Sequence, residues 1–143
     1  MANEVARLEP GDKAPELSLL NQDNKSVSSQ ELLATPTIFF FFPAAGSPGC
    51  TKEAVDFQDY LEDFAAQGYQ VVGISPDSPN RLKEFALSHD LSFQLLSDPD
   101  LAAHRSFGAF GQKTLYGRVY TGVLRSTIVT NEKGKIDQAL YNV

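Results

Sequence analysis

The sequence has very little cysteine, since Cys50 is the only one among 143 residues. A single cysteine excludes an intramolecular disulfide, and it excludes a Cys-x-x-Cys redox pair or zinc site within one chain. The two histidines, His89 and His104, cannot form a metal site without carboxylate ligands. We therefore expect neither a metal ion nor a bound cofactor. A thiol without a partner is typical of the cytoplasm, where thiol pools keep cysteines reduced.

Basic residues and long apolar runs are also in short supply. The chain has 12 Lys and Arg against 18 Asp and Glu, which gives a formal charge of −6. An acidic domain repels phosphate backbones, so nucleic acid is not an expected partner. The longest apolar run, residues 38–42, is far too short to span a bilayer. The N-terminal segment lacks the apolar core of a signal peptide, and we predict a cytoplasmic protein without membrane contact.

The apolar residues that are present follow strand and helix patterns in turn. Strand patterns occupy residues 16–20, 37–42, 69–75, 93–96, 123–130 and 136–140. Helical patterns begin at Ser28, Thr51, Pro79 and Pro99. Residues 37–42 are apolar on both faces, which predicts a central strand covered on both sides. This order favours an α/β domain with a mixed central sheet flanked by helices. One domain fits residues 1–143, with residues 1–7 polar enough to fray.

The segment after the phenylalanine-rich strand carries the most chemical information. Residues 43–49 read as a loop rich in proline and glycine, which delivers Cys50 to the start of a helix. Free N–H groups and the helix dipole favour negative charge there, and both stabilise a thiolate, the nucleophilic form of cysteine. Ser47 lies on the same loop and can turn its hydroxyl toward the sulfur. The alternative is a buried structural cysteine that packs like a small apolar side chain.

The pattern Pro43-x-x-x-Ser47-x-x-Cys50 resembles the PxxxTxxC signature of peroxiredoxins, with Ser in place of Thr. Further segments are similar to the peroxiredoxin Q group, also called bacterioferritin comigratory proteins. They are GDKAPEL, SPGCTKEA, GISPDSP, LLSDPD, YGRVYTGVLRSTIV and EKGKI. The resemblance extends from about Leu8 to Tyr141 and implies a single thioredoxin-like peroxiredoxin domain. It implies an antioxidant oxidoreductase, a peroxidase of the thioredoxin-dependent type with a redox-active cysteine.

The resemblance also implies roles for individual residues. Cys50 matches the peroxidatic cysteine, Pro43 the proline that covers it, and Ser47 the hydroxyl that orients the peroxide. Arg125 matches the arginine that stabilises the thiolate and the transition state. Donors placed in advance stabilise the charge that develops on the departing oxygen, and the backbone N–H of Gly49 is a further candidate donor. Without the motif, Arg125 would be interpreted as half of a salt bridge at the start of a strand.

Glu53 and the two histidines have alternative interpretations. Glu53, one helical turn after Cys50, can hold Arg125 in place, and a solvated helix glutamate is an equal alternative. His89 ends a predicted helix, where a cation suits the dipole. His104 is expected to be a partly exposed helix residue. We assign no catalytic role to either histidine.

The chain departs from the group at Val55, where many members carry a second, resolving cysteine. The later position used by other members lacks a cysteine as well. The resemblance together with this departure implies a one-cysteine mechanism. Hydrogen peroxide or an organic hydroperoxide converts Cys50 to a sulfenic acid, and an external thiol attacks it. A thioredoxin, a glutaredoxin-like protein or a low-molecular-weight thiol can serve.

Members of the group usually continue past the final strand into another helix, whereas this sequence ends at Val143. We therefore expect the C-terminal family helix to be absent. A sheet face left open by its absence would expose apolar surface and favour association. The expected state is a monomer or a weak homodimer.

Two other functions compete with the peroxidase. A thioredoxin-fold peroxide sensor or binding partner would use Cys50 for a mixed disulfide without turnover. A cysteine hydrolase would need a histidine within hydrogen-bond reach of the sulfur, and both histidines lie far along the chain. The complete four-residue motif favours the peroxidase, because a module without catalysis would not need all four residues.

Overall fold

The computed structural model describes residues 7–115 and 117–141. Its strands are β1 (Ser18–Asn21), β2 (Ser26–Ser28), β3 (Thr37–Phe41), β4 (Gln70–Ser75), β5 (Gln94–Ser97), β6 (Phe110–Leu115), β7 (Arg118–Val123), β8 (Ser126–Thr130) and β9 (Ile136–Tyr141). Its helices are α1 (Ser29–Leu32), α2 (Pro48–Asp59), α3 (Leu61–Ala66), α4 (Pro79–Ser88) and α5 (Ala102–Ser106).

Seven strands form one mixed sheet in the order β2-β1-β5-β4-β3-β8-β9. Strand β3 pairs in parallel with β4 and antiparallel with β8, and β4 pairs in parallel with β5. The mixed sheet flanked by helices confirms the predicted fold class. All five residues of β3 are buried, as expected for a strand that is apolar on both faces.

The alternation of side chains along β3 supplies both faces of the sheet with phenylalanine. Phe39 and Phe41 enter one core cluster, while Phe40 and Phe42 enter the other. All four side chains are 0% exposed, which confirms their prediction as core residues. Burial of each ring contributes roughly 1.5–3 kcal/mol to the hydrophobic stabilisation of the fold.

A glycine in β4 makes room for one of these rings. Gly73 lies opposite Phe40 in the parallel register. A Cβ atom at this position would lie 2.8 Å from Phe40 Cζ and 2.8 Å from Leu95 Cδ2, which is closer than carbon atoms pack. The absence of a side chain at Gly73 therefore allows the Phe40 ring to pack closely against β4.

The helix expected from Thr51 onward starts earlier in the structure and is interrupted at Tyr60. Ser47 is the N-cap and Pro48 the first helical residue, a position where the missing N–H of proline costs nothing. The helix thus begins three residues earlier than predicted and includes Cys50. Tyr60, with φ −101° and ψ 9°, ends α2 and separates it from α3.

The hairpin of β6 and β7 was not predicted, and the single strand expected over residues 123–130 is divided. Strands β6 and β7 pair with each other in a separate two-stranded sheet. Leu124 and Arg125 lie between β7 and β8 outside either strand. The sequences FGQKTL and RVYTGV lack the regular alternation that identifies a half-buried strand, so the pattern gave no signal.

His104 is fully buried, so the prediction of a partly exposed residue is wrong. Its Nδ1 lies 2.6 Å from Asp98 Oδ2, and its ring stands edge-on to Phe41 at a centroid distance of 5.1 Å. Asp98, itself 1% exposed, also accepts the backbone N–H groups of Ala103 and His104. A buried carboxylate just before α5 thus gives the imidazole a partner inside the core. His89 is the C-cap of α4, as predicted.

The two ends of the described chain are Arg7 and Tyr141. The expected fraying of residues 1–7 falls outside the described ranges except at Arg7, whose guanidinium lies 5.2 Å from the centre of the Tyr141 ring. Strand β9 is the last described element, and its Leu140 is 48% exposed. Across residues 7–115 and 117–141, none of the helices is long and apolar enough to cross a bilayer.

Candidate active site

Cys50 lies in the first turn of α2, at the point where the chain turns back from the central strand. Its side chain is 0% exposed and belongs to the core cluster that contains Phe40 and Phe42. The Phe42 N–H donates to the Ile74 carbonyl at 3.1 Å, which fixes the start of the β3–α2 loop (residues 42–47). Cys50 is thus part of a helix N-terminus, where free backbone N–H groups and the helix dipole favour negative charge.

Arg125 reaches this sulfur from a distant part of the chain. Its Nη2 lies 3.3 Å from Cys50 Sγ, although 75 residues separate the two. The Leu124 N–H donates to the Ala109 carbonyl at 2.8 Å, and the Ser126 hydroxyl donates to the Leu124 carbonyl at 2.8 Å. These bonds hold the short segment between β7 and β8 on both sides of Arg125, so the guanidinium is aimed at the start of α2.

Glu53 binds the other end of the same guanidinium. Arg125 Nη1 donates to Glu53 Oε1 at 3.1 Å, and the Glu53 side chain is 17% exposed. The structure thus brings Cys50, Arg125 and Glu53 together. A planar guanidinium bound at both amino groups has little freedom to rotate away from the sulfur.

The charges of this cluster influence each other. Burial of the guanidinium opposes its charge, but the hydrogen bonds and charge attraction of Cys50 and Glu53 outweigh burial and raise the pKa of Arg125. The pKa of the Glu53 carboxyl is also raised, chiefly because burial removes the carboxylate from water. The attraction of Arg125 opposes this shift but is smaller, and the negative charge of the nearby Asp56 raises the pKa further. Arg125 is therefore held firmly in its charged form next to the sulfur.

The other predicted site residues lie on the β3–α2 loop or at the start of α2. The Ser47 hydroxyl donates to the Ala44 carbonyl at 3.0 Å, so its proton is directed along its own loop. A hydroxyl proton rotates freely about its Cβ–Oγ bond, so this proton can also be donated to another acceptor. Pro43 directly follows the buried end of the phenylalanine strand and is partly buried. A Cβ atom on Gly49 would lie 3.3 Å from Arg125 Nη2, so this glycine lets the guanidinium lie across the helix start.

Sequence reasoning missed an apolar pocket of about 480 Å³ next to this cluster. Its walls include Phe57, Tyr60 and Phe64, and Gly49, Glu53 and Arg125 form the end that faces the cysteine. The aromatic residues recur at a helical spacing of three and four, which is a usable signal. Tyr60 is 59% exposed, so this aromatic face of the helices is open to solvent.

Neither a metal site nor a cysteine–histidine pair is apparent among the described residues. Within residues 7–115 and 117–141, no group of three or more His, Cys, Asp or Glu side chains is placed to hold a metal ion. His104 packs on Phe41, in the core on the opposite face of the sheet from Cys50. The ring of His89 packs edge-on against Phe85 at a centroid distance of 5.2 Å. A hydrolase that needs an imidazole beside the thiol is thus not favoured.

Sequence comparison places this arrangement in a family. A sequence model of the AhpC/TSA family matches residues 10–139. A putative peroxiredoxin of Mycobacterium tuberculosis (strain H37Rv) is 49% identical over 139 residues, which cover 97% of this chain and 88% of that protein. Peroxiredoxin Bcp of Escherichia coli (strain K12) is 36% identical over 130 residues, which cover 91% of this chain and 83% of the relative.

Solved structures agree with the sequence comparison. Peroxidoxin BcpB of Mycobacterium tuberculosis superposes with a TM-score of 0.84 at 31% identity, covering 95% of this chain and 87% of that one. The bacterioferritin comigratory protein of Xanthomonas campestris superposes with a TM-score of 0.83 at 29% identity, covering 89% of this chain and 81% of that one. The fold is therefore the thioredoxin-like fold of peroxiredoxins, as the resemblance implied. The chain belongs to the AhpC/TSA family and is a peroxidase of the peroxiredoxin Q group.

Proposed function

We propose that the protein reduces hydrogen peroxide and organic hydroperoxides through a one-cysteine cycle at Cys50. The observation that carries the proposal is the 3.3 Å contact between Arg125 Nη2 and Sγ of the only cysteine in the chain. A fixed cation at this distance stabilises negative charge on the sulfur and on the oxygens that react with it. Glu53 keeps the guanidinium in place for both tasks.

The first half of the cycle oxidises the cysteine. The Cys50 thiolate attacks the terminal oxygen of the hydroperoxide, an S–O bond forms and the O–O bond breaks. The departing hydroxide or alkoxide takes up a proton and leaves as water or an alcohol, and the sulfur becomes a sulfenic acid. Arg125 and the Ser47 hydroxyl stabilise the charge on the departing oxygen, and Pro43 shields the sulfur from water.

The second half needs thiols from outside the chain, because no second cysteine is present. One external thiol attacks the sulfenic sulfur and expels water, which leaves a mixed disulfide. A second thiol then releases Cys50 and forms the disulfide of the reductant. A thioredoxin, a glutaredoxin-like protein or a low-molecular-weight thiol fits this requirement. Since Cys50 is 0% exposed, the first turn of α2 has to move before a bulky thiol can reach it.

The apolar pocket supports organic hydroperoxides as substrates. Phe57, Tyr60 and Phe64 provide an aromatic surface that begins next to Arg125 and leads away from the cysteine. Such a surface binds an alkyl or aryl group by removing it from water. Trapped-intermediate and ligand-complex structures of the Xanthomonas campestris relative gave insights into its alkyl peroxide reduction activity. A similar substrate class for this chain is consistent with its pocket.

Steady-state peroxide consumption with a panel of thiol donors tests the proposal. We expect continuous consumption with at least one donor, and loss of that consumption in Cys50→Ser. Cumene hydroperoxide and hydrogen peroxide should both serve as substrates. A single stoichiometric oxidation without turnover, whichever donor is present, would instead indicate a sensor. Consumption by Cys50→Ser at the rate of the unmodified protein would exclude Cys50 as the reacting group.

A further inference from the structure

Asp77 reaches from the end of β4 to the loop that carries the cysteine. Its Oδ2 accepts the Ala45 N–H at 2.7 Å, a bond between residues 32 positions apart. Ala45 is only 4% exposed, so water cannot readily replace the carboxylate as acceptor. This bond thus ties the β3–α2 loop to the strand beside it.

Asp77 is itself anchored by two buried serines. The Ser75 hydroxyl donates to Asp77 Oδ2 at 2.8 Å, and the Asp77 N–H donates to Ser75 Oγ at 3.2 Å. The Ser97 hydroxyl donates to the Asp77 carbonyl at 2.6 Å. Ser75 is 0% and Ser97 4% exposed. The carboxylate is therefore a fixed point built on the ends of two neighbouring parallel strands.

The peptide unit that Asp77 holds also determines where Ser47 points. The N–H of Ala45 and the C=O of Ala44 belong to the same planar peptide, so fixing one direction fixes the other. That C=O accepts the Ser47 hydroxyl at 3.0 Å and the Ser47 N–H at 3.4 Å. Asp77 is thus linked through one rigid peptide to the hydroxyl proposed to contact the peroxide.

We propose that Asp77 is a positioning residue for the oxidation of Cys50, acting through the Ala44–Ala45 peptide on Ser47. The inference deepens the proposed peroxidase function and rests on it. The hydrogen bond carries the effect, and the negative charge does not, because a carboxylate near the site by itself disfavours a thiolate. A variant that removes the negative charge of Asp77 but keeps an oxygen acceptor should therefore still allow oxidation of Cys50.

The test compares Asp77→Ala and Asp77→Asn with Asp137→Ala, a control that removes an exposed acid from β9. Two rates are measured for each protein: oxidation of Cys50 by hydrogen peroxide, and alkylation of Cys50 by iodoacetamide. Alkylation depends on the reactivity of the sulfur and on the opening of the helix start that exposes it, whereas oxidation also needs the donors of the loop. We expect Asp77→Ala to slow oxidation by about 10-fold or more, with alkylation changed by less than about 3-fold. Asp77→Asn, which keeps an oxygen acceptor, and Asp137→Ala should oxidise within about 3-fold of the unmodified protein.

A second variant, Ser75→Ala, keeps the bond to Ala45 but removes one anchor of the carboxylate. It should slow oxidation by about 3-fold without a change in alkylation, because the acceptor is less well fixed. Oxidation at the unmodified rate in both Asp77→Ala and Ser75→Ala would overturn the inference and leave the peroxidase intact. Equal loss in Asp77→Ala and Asp77→Asn would overturn it too, since the acceptor would then not matter. Failure of the unmodified protein to react with peroxide would instead remove the proposed function, and the role of Asp77 with it.

Discussion

Arg125 directs one amino group of its guanidinium at the Cys50 sulfur and the other at the Glu53 carboxylate. The resemblance predicted Cys50 and Arg125 as site residues from the sequence, because a family signature specifies residue types at fixed positions, and the structure brings these two side chains together. The resemblance could not specify the direction of the Ser47 hydroxyl, since that depends on how the Ala44 carbonyl is oriented. Nor could it identify Asp77 as a partner of the loop, because their contact joins segments that are distant in sequence.

At the residue scale, Gly49→Ala separates activity from stability. The added Cβ lies 3.3 Å from Arg125 Nη2, so the guanidinium has to move by a few tenths of an ångström, although Glu53 holds it. A displacement of about 1 Å can cost roughly 100-fold in rate, so we expect Cys50 oxidation to slow by about 3- to 10-fold. Alanine in a helix is more favourable than glycine by up to about 1 kcal/mol, so stability should not fall.

Stopped-flow oxidation by hydrogen peroxide and a thermal melt of the same sample measure both effects of Gly49→Ala. Unchanged oxidation would mean that the position of Arg125 is not critical. A lower melting temperature would mean that the added methyl disturbs the fold instead of the guanidinium alone.

At the scale of elements, the sequence predicted the central strands and missed the hairpin. Strand β3 is recognisable because both of its faces are apolar. Strands β6 and β7, which among the described strands pair with each other alone, carry no such signal. The division of the last predicted strand has a consequence for the position of Arg125. Leu124 and Arg125 lie outside β7 and β8, and this interruption is what turns the guanidinium toward α2.

Gly73→Ala tests how tightly β4 packs under the aromatic cluster. The new Cβ would lie 2.8 Å from Phe40 Cζ, and that ring is confined by Phe57 at a centroid distance of 4.6 Å. Overpacking of this kind costs about 1–3 kcal/mol, which urea denaturation resolves. Phe40→Leu removes the obstructing ring atoms. The variant that combines it with Gly73→Ala should therefore lose less unfolding free energy than the sum of the losses in the two single variants. Strict additivity would show that Gly73 and Phe40 do not compete for the same space.

At the scale of the whole molecule, two cores lie on opposite faces of one sheet, and only one of them contains the cysteine. The other encloses Phe41, Phe107 and the pair of Asp98 with His104. The sequence could not reveal that pair, because a histidine on a short helix is exposed unless a carboxylate is placed to receive it. Here the carboxylate comes from the turn after β5, six residues earlier in the chain.

Asp98 makes the stability of the fold dependent on pH. Burial of this carboxyl opposes its charge, but hydrogen bonds from the His104 ring and from the N–H groups of His104 and Ala103 outweigh burial and lower the pKa of Asp98. Because the pKa of Asp98 is lower in the folded protein than its ordinary value of 3.8, the ionised carboxylate stabilises the fold fully at pH values above 3.8. This stabilisation is lost as the pH falls through the pKa of the folded state.

The corresponding variant is Asp98→Ala, which leaves buried donors without an acceptor and should cost about 1–3 kcal/mol for each unpaired donor at neutral pH. The difference in the free energy of unfolding between this variant and the unmodified protein should become smaller as the pH falls below about 4. Urea denaturation at a series of pH values measures it, with Asp23→Ala as the control, since that carboxylate is exposed and should matter little. If the difference in unfolding free energy stayed constant down to pH 3, the lowered pKa of Asp98 would be contradicted.

The mass of the chain after reaction with one equivalent of hydrogen peroxide and a small thiol tests the one-cysteine cycle most directly. The cycle predicts a single mixed disulfide per chain, its disappearance when more thiol is added, and no adduct in Cys50→Ser. Peroxide consumed with thiol present, but with neither a sulfenic acid nor a mixed disulfide detectable on Cys50, would contradict it.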